Sequence, residues 1–267
     1  MPDLQNVDLS WQPEPLQEDW PRGLDTEFIM SRMEQAFIDQ AKDGPGGRLL
    51  DVACGHARHA LDLKARGWDC VGIEPSPEMV RRAREWTTAA GHPAEMMYGI
   101  GELLPFKDES FDRILCMSSL DHFANPDIGF REMARILRPD GRVVIGLVNY
   151  AGLACNGSRL LYRIGRRVGT IPKGKRMFWD DPTEGEHTFE GRTKSLKKFA
   201  EGSLVLEKEY GASMMWAFPG WKYVFYPFTG RSKPMRVIRG GILKTADRMG
   251  RTFPTLSDFV VTTWRKP

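Results

Sequence analysis

"RLLDVACGHARHALDLKARGWDCVGIEP" (residues 48–75) changes its hydrophobic period twice. A short apolar run ends in a turn, a helical segment stops at Gly67, and a second apolar run ends on Glu74. Strand, turn, helix and strand in this order make one unit of a parallel sheet, and such sheets hold ligands beyond the carboxyl ends of their strands. N–H groups at the helix start attract anionic groups and accept close backbone approach. Glu74, ending the second strand, can accept hydrogen bonds from both hydroxyls of a ribose. The turn, however, offers Ala53, Gly55 and Ala57 where a pyrophosphate-binding loop has three glycines.

The alternation continues on both sides of this unit. Upstream, "DTEFIMSRMEQAFIDQAK" places Phe28, Ile29, Met33, Phe37 and Ile38 on one helical face, with Asp25 or Thr26 as the cap. Downstream, "SPEMVRRAREWTTAAG" reads as a helix capped by Ser76, with Pro77 at its first position and Gly91 at its end. "AEMMYGI", "FDRILCMSS" and "GRVVIGLVNY" read as the third, fourth and fifth strands, with a helix, "NPDIGFREMARIL", before the fifth. After Tyr150 the pattern loosens. Insertions at about residues 151–190 and 212–256 flank a helix, "TKSLKKFAEG", and a strand, "SLVLEKEYG", and the last strand is "LSDFVVTTW". Insertions on the ligand rim of such a sheet form lids or substrate pockets.

Bulk composition adds limits. At 267 residues, with 41% hydrophobic and 27% charged residues, the chain is long enough for a full core. Its net charge of +3 hides a division. Residues 1–150 carry 16 Lys and Arg against 25 Asp and Glu, and residues 151–267 carry 22 against 10. The C-terminal part therefore suits something anionic. The acidic, proline-interrupted start does not read as a signal peptide, and no run reaches the ~18 apolar residues of a membrane span. Cys54, Cys70, Cys116 and Cys155 match neither a zinc spacing nor a disulfide framework, so free thiols in a reducing cytoplasm are expected. No histidine and carboxylate cluster has a metal-ligand spacing, so no metal is expected.

Four blocks in register, "LLDVACGHARHA", "GIEPSPEMVRRARE", "GIGELLPFKDESFDRIL" and "REMARILRPDGRVVI", resemble the class I S-adenosylmethionine-dependent methyltransferases. The closest likeness is to the small-molecule, ubiquinone/menaquinone-biosynthesis-like branch. It covers residues 47–150 well and 185–210 weakly. The resemblance implies an α/β, Rossmann-like, doubly wound sheet of seven mostly parallel strands. Their implied order is 3-2-1-4-5-7-6, with the last strand antiparallel and helical lid insertions. It also divides the chain into an N-terminal segment and cap helix (1–46), a cofactor-binding core (47–150) and a C-terminal part that completes the sheet (151–267).

Position by position, the resemblance implies that Asp51 organises the loop and the methionine amino group. Ala53, Cys54, Gly55 and His56 form a backbone cradle, Glu74 holds the ribose, and Pro75 and Met79 line the adenosine. Gly101, Glu102 and Ser118 complete the cofactor set. Ile100 stands where relatives often place an aspartate for the adenine amino group, so either the backbone near Gly101 and Glu102 does that work or cofactor affinity is lower. S-adenosylmethionine has no phosphate, so alanine is tolerated where a dinucleotide needs glycine. That counts against an NAD-dependent oxidoreductase. A degenerate methyltransferase fold retained for binding or regulation is the rival outside enzymes.

Two histidines fall where the resemblance places the acceptor: His122 in "SSLDHFANP" after the fourth strand, and His187 in "EGEHTFEG". Both are candidate bases, since a neutral nucleophile gains from a base with a pKa near neutrality. Asp121 and Tyr150 are read as structural, and His56, His59 and His92 carry no catalytic role. The expected acceptor is a small, apolar or aromatic metabolite or lipid. Nucleic acid is not expected, because the Asp/Asn-Pro-Pro-aromatic signature of many amino-group methylating enzymes is absent after the fourth strand.

Two basic amphipathic segments remain. "SRLLYRIGRRVG" puts Leu160, Leu161, Ile164 and Val168 on one arc, with arginines around most of the rest. "SKPMRVIRGGILKTADRMGR" has a stripe of Met235, Ile238, Ile242, Ala246 and Met249. The favoured reading is lid helices whose stripes cover the substrate rim. The other is peripheral contact with an anionic membrane. Seven aromatics between Trp216 and Phe228 suit a large apolar chamber or a lid core.

Overall fold

A computed structural model describes residues 24–44, 46–169, 188–214 and 233–267. The strands are β1 (Arg48–Val52), β2 (Asp69–Glu74), β3 (Glu95–Tyr98), β4 (Phe111–Met117), β5 (Leu137–Val148), β6 (Val205–Ala212) and β7 (Phe259–Arg265). They form one sheet in the order β3-β2-β1-β4-β5-β7-β6. The first five strands pair in parallel, and β7 lies antiparallel between β5 and β6. This is the expected topology, and the C-terminal part completes the sheet with β6 and β7.

The central strands are apolar on both sides because helices cover both faces. On one face α1 (Leu24–Ala41), α2 (Arg58–Lys64), α3 (Pro77–Ala89) and α7 (Lys233–Thr252) bury Phe37, Leu63, Val80 and Leu243 in one cluster. On the other, α4 (Pro126–Ile136) and α6 (Thr193–Phe199) bury Phe130, Met133 and Leu196. α5 (Leu153–Arg167) leaves the carboxyl end of β5 four residues after the strand ends. The Ser76 side chain accepts from the Met79 N–H at 3.4 Å, as its position predicts, and Gly67 and Gly91 end their helices with positive φ. Met33, Phe37 and Ile38 of the expected α1 face are buried, and the side chains of Phe28 and Ile29 lie outside what is described. The expected cap at Asp25 or Thr26 is not met, because α1 already begins at Leu24 and both residues lie in its first turn.

One boundary differs from the sequence reading. β5 begins at Leu137, four residues early, because "LRPDG" pairs onto Phe111 before a register shift and only then joins the regular ladder at Arg142. Asp140 takes φ 59° within it, so Pro139, Asp140 and Gly141 form a bulge inside the strand instead of a turn before it. All four cysteines are free and buried.

Candidate active site

Strand order reverses between β1 and β4, so the crevice at their carboxyl ends is the natural ligand position. There Val52 lies level with Ile73 of β2 and Cys116 of β4. The turn after β1 holds Ala53, Gly55 and Ala57 at φ 54°, 53° and 60°. All three positions of the glycine pattern are therefore left-handed. Two carry a methyl group, at roughly 1–2 kcal/mol of strain each.

Asp51 is buried, and its Oδ2 has no hydrogen-bond partner. Loss of water raises this carboxyl to about 6, against the pull of His59 and the Ala60 N–H. An unpartnered buried acceptor is costly and uncommon, and a donor from a ligand would satisfy it. Glu74 is also buried, and both its oxygens are held: Oε2 accepts the Gly55 N–H at 2.9 Å and Oε1 the Ser76 N–H at 3.0 Å. Burial raises its pKa, and the two backbone donors oppose the rise. Each carboxylate oxygen retains a second acceptor site, so two hydroxyls of a ribose can still be taken.

Within the backbone cradle expected from Ala53 to His56, and next to it at Ala57, some N–H groups are already engaged. The Cys54 N–H bonds Ile73 O at 3.2 Å, Gly55 N–H bonds Glu74, and Ala57 N–H bonds Cys54 O at 2.8 Å. These donors are committed inside the protein, and α2 is only seven residues long. The turn thus sets buried carboxylates beside N–H groups of which three are already engaged. His56 turns its ring to α3, edge-on to Trp86 with centroids 6.0 Å apart, and desolvation lowers its pKa. Pro75 is half-buried, and Met79 reaches the turn, since a Cβ at Gly55 would sit 3.7 Å from its methyl. His59 packs on Phe37 and faces Glu34, a structural setting.

In the third block Ile100 is half-buried. Glu102 is buried with its pKa raised by desolvation, and its Oε1 accepts the Asn125 N–H at 3.2 Å. Glu102 therefore ties this loop to the start of α4. A residue the sequence reading passed over completes the link. A Cβ at Gly101 would lie 2.1 Å from the Phe123 ring, and one at Gly129 would lie 2.5 Å away. The ring fills both vacated positions, and the pair of glycines, 28 residues apart, was its only trace in the sequence.

Ser118 ends β4 with φ 50°, exposed, its N–H on Gly146 O at 2.7 Å. A 3-10 turn, Leu120–His122, follows. Asp121 is buried, its carbonyl accepting the Thr188 N–H at 2.7 Å and hydroxyl at 3.1 Å. His122 is exposed, with its N–H on Ser119 O at 2.9 Å. His187 lies outside the described residues, as do the aromatics from Trp216 to Phe228. Tyr150 is buried.

Asp51, Glu74 and Glu102 are thus three buried acids around one crevice, and among the described residues none forms a salt bridge. Such a crevice favours a ligand that brings positive charge and hydroxyl donors, and it disfavours a pyrophosphate.

Comparison with known proteins agrees with this chemistry. Residues 50–145 match the family described as "Methyltransferase domain". The chain is 35% identical over 124 residues to the ubiquinone/menaquinone biosynthesis C-methyltransferase UbiE of Geotalea daltonii, covering 44% of this chain and 53% of that one. It is 34% identical over 99 residues to the uncharacterized methyltransferase YcgJ of Bacillus subtilis, covering 37% and 39%. The chain thus spans about half the length, or less, of these relatives. The crystal structure of the PH0226 protein from Pyrococcus horikoshii has the same fold, with a TM-score of 0.57 at 17% identity over 92% of this chain and 93% of that one.

Proposed function

We propose that this chain, whose residues 50–145 match the methyltransferase domain, is a class I S-adenosylmethionine-dependent methyltransferase of small-molecule type and transfers the methyl group of S-adenosylmethionine to a small apolar or aromatic acceptor. The observation that carries the reading is the buried Asp51 at the crevice, whose Oδ2 has no hydrogen-bond partner, with the buried Glu74 beside it.

The residues present fit the cofactor. Asp51 Oδ2, otherwise unsatisfied, would accept a hydrogen bond from the methionine ammonium, whose charge would also stabilise the ionised carboxylate. Glu74 holds the ribose hydroxyls through its remaining lone pairs while its backbone donors fix its orientation. Pro75 and Met79 wall the adenosine. The backbone of Gly101 and Glu102 serves the adenine edge in place of a side chain at Ile100. The bound sulfonium supplies a methyl group on a good leaving group. The tasks left to the protein are alignment and exclusion of water.

His122 sits on the turn after β4, beside the crevice mouth, and acts as the base that accepts the acceptor's proton. His187 is the second candidate for that role. In this reading the product is S-adenosylhomocysteine, the acceptor is a small molecule and not a nucleic acid, and the protein works in the cytoplasm.

The test is transfer from methyl-labelled S-adenosylmethionine to a panel of phenols, quinols and apolar amines. At least one should be methylated. His122→Ala should lower kcat about 100-fold at neutral pH, within the range of general-base catalysis, with cofactor affinity unchanged. Tight S-adenosylhomocysteine binding with no acceptor turned over would instead identify a binding protein on this fold.

A further inference from the structure

α5 has three faces. Ala154, Cys155 and Gly165 face the protein and are buried. Leu160, Ile164 and Val168, on a separate arc, are 59%, 49% and 66% exposed, with Leu153 exposed in line with them. Arg163, Arg166 and Arg167 are exposed beside that arc, and residues 151–169 contain no acidic residue. Leu160, Ile164 and Val168 of the stripe thus face outwards, away from the arc of Ala154, Cys155 and Gly165.

The surface continues beyond the helix. The Asn149 side-chain amide donates to Thr255 O at 3.1 Å and Ser257 O at 2.9 Å, which fixes the turn after α7 beside the start of α5. That turn exposes Phe253 and Leu256, and the last turns of α7 expose Met249. Seven of the eleven exposed large apolar side chains among the described residues thus belong to α5, the end of α7 and this turn. On the α7 side a cleft of about 500 Å³ is lined by Arg32, Lys244, Thr245, Asp247, Arg248 and Arg251; Asp247 pairs with Arg32 and Arg251, and Lys244 and Arg248 add cations past the apolar turn. A surface that alternates exposed Leu, Ile, Val and Phe with arginine, and lacks acids along its main helix, matches the interface of an anionic bilayer.

We propose that α5 and the 253–256 turn form a peripheral docking surface for anionic lipid membranes. Leu160, Ile164 and Val168 enter the headgroup boundary, and the arginines meet lipid phosphates. Among the described residues no helix is long and apolar enough to cross a membrane, so the contact is interfacial. The proposal rests on this surface alone and not on the methyl-transfer reading.

The test is cosedimentation of the full chain with phosphatidylcholine vesicles, with and without phosphatidylglycerol, at low and high salt. The protein should pellet with the anionic vesicles at low salt, at least tenfold more than with neutral ones, and should be released by high salt. Leu160→Glu/Ile164→Glu should abolish sedimentation, and Arg163→Glu/Arg167→Glu should weaken it at least tenfold. Unchanged thermal unfolding and S-adenosylhomocysteine binding would show that both variants are folded. No sedimentation by wild type at low salt would overturn the proposal. So would equal sedimentation by the folded glutamate variants. So too would a dimer in light scattering that Ile164→Glu dissociates while vesicles bind neither form, since the stripe would then be an interface between copies.

Discussion

The crevice at β1 and β2 and the rim at α5 depart from ordinary folding rules in opposite directions. At the crevice, charge is inside: Asp51 and Glu74 are buried carboxyls that form no salt bridge among the described residues. At the rim, hydrocarbon is outside, along Leu160, Ile164 and Val168. The first arrangement costs desolvation and the second forfeits burial, and neither serves the fold. In the two proposals each is completed from outside, by a cationic small molecule in one case and by an anionic lipid surface in the other.

The largest expected effect probes the cost of charge in the crevice. Asp51 binds its proton up to about pH 6 when folded, against an ordinary 3.8, so the folded state is penalised only where the group is ionised. The penalty is absent below about pH 4, grows from there to pH 6 and is full above it, on the order of 3 kcal/mol at ~1.4 kcal/mol per pH unit. Asp51→Asn should therefore raise stability to denaturant by roughly that amount at pH 7.5, with no gain near pH 4, while weakening S-adenosylmethionine binding at least tenfold. A variant that is less stable at pH 7.5 would mean that the carboxylate has partners in the fold, and the contrast with the rim would fall.

Next is the packing that closes the crevice. Gly101→Ala places a methyl group inside the Phe123 ring position and should cost ~2 kcal/mol by urea denaturation. Phe123→Leu in the same chain should recover part of the loss. A neutral Gly101→Ala would show that this loop is not locked to the loop after β4.

Glu74→Ala follows. It removes the ribose acceptor and two turn contacts, and should weaken S-adenosylhomocysteine binding at least tenfold, about 1.4 kcal/mol, by calorimetry. Unchanged affinity would remove Glu74 from the site. The smallest effect is at Ala57. Glycine there relieves a left-handed backbone but gives up a buried methyl and adds freedom to the unfolded chain, so Ala57→Gly should change stability by less than about 1 kcal/mol. A large loss would mean that the methyl group's packing outweighs the strain.

Much of the crevice was legible in the sequence because its signals are local. Asp51 and Glu74 end apolar runs, Ser76 and Pro77 mark a helix start, and the alternating Ala53, Gly55, Ala57 positions coincide with the left-handed residues. Strand order came from the resemblance, since periodicity reports that strands exist and not how they pair. What escaped depends on contacts distant in the chain. Phe123 shows only through Gly101 and Gly129, and the commitment of the turn's N–H groups requires Ile73 and Glu74 in place. The early start of β5 was hidden because "RPDG" has turn chemistry, and a bulge uses the same residues. For α5, the helical wheel reports amphipathicity but not which arc meets the protein. Burial of Ala154, Cys155 and Gly165, with Leu160, Ile164 and Val168 exposed, answers that only in three dimensions.

Calorimetric titration of the wild-type protein with S-adenosylhomocysteine, S-adenosylmethionine and NAD tests the crevice reading at its root. Micromolar binding of both sulfur ligands with none of NAD is the predicted result, because the crevice offers buried carboxylates, which accept from ammonium and hydroxyl donors and repel a pyrophosphate. Binding of NAD, or of none of the three by folded protein, would contradict it.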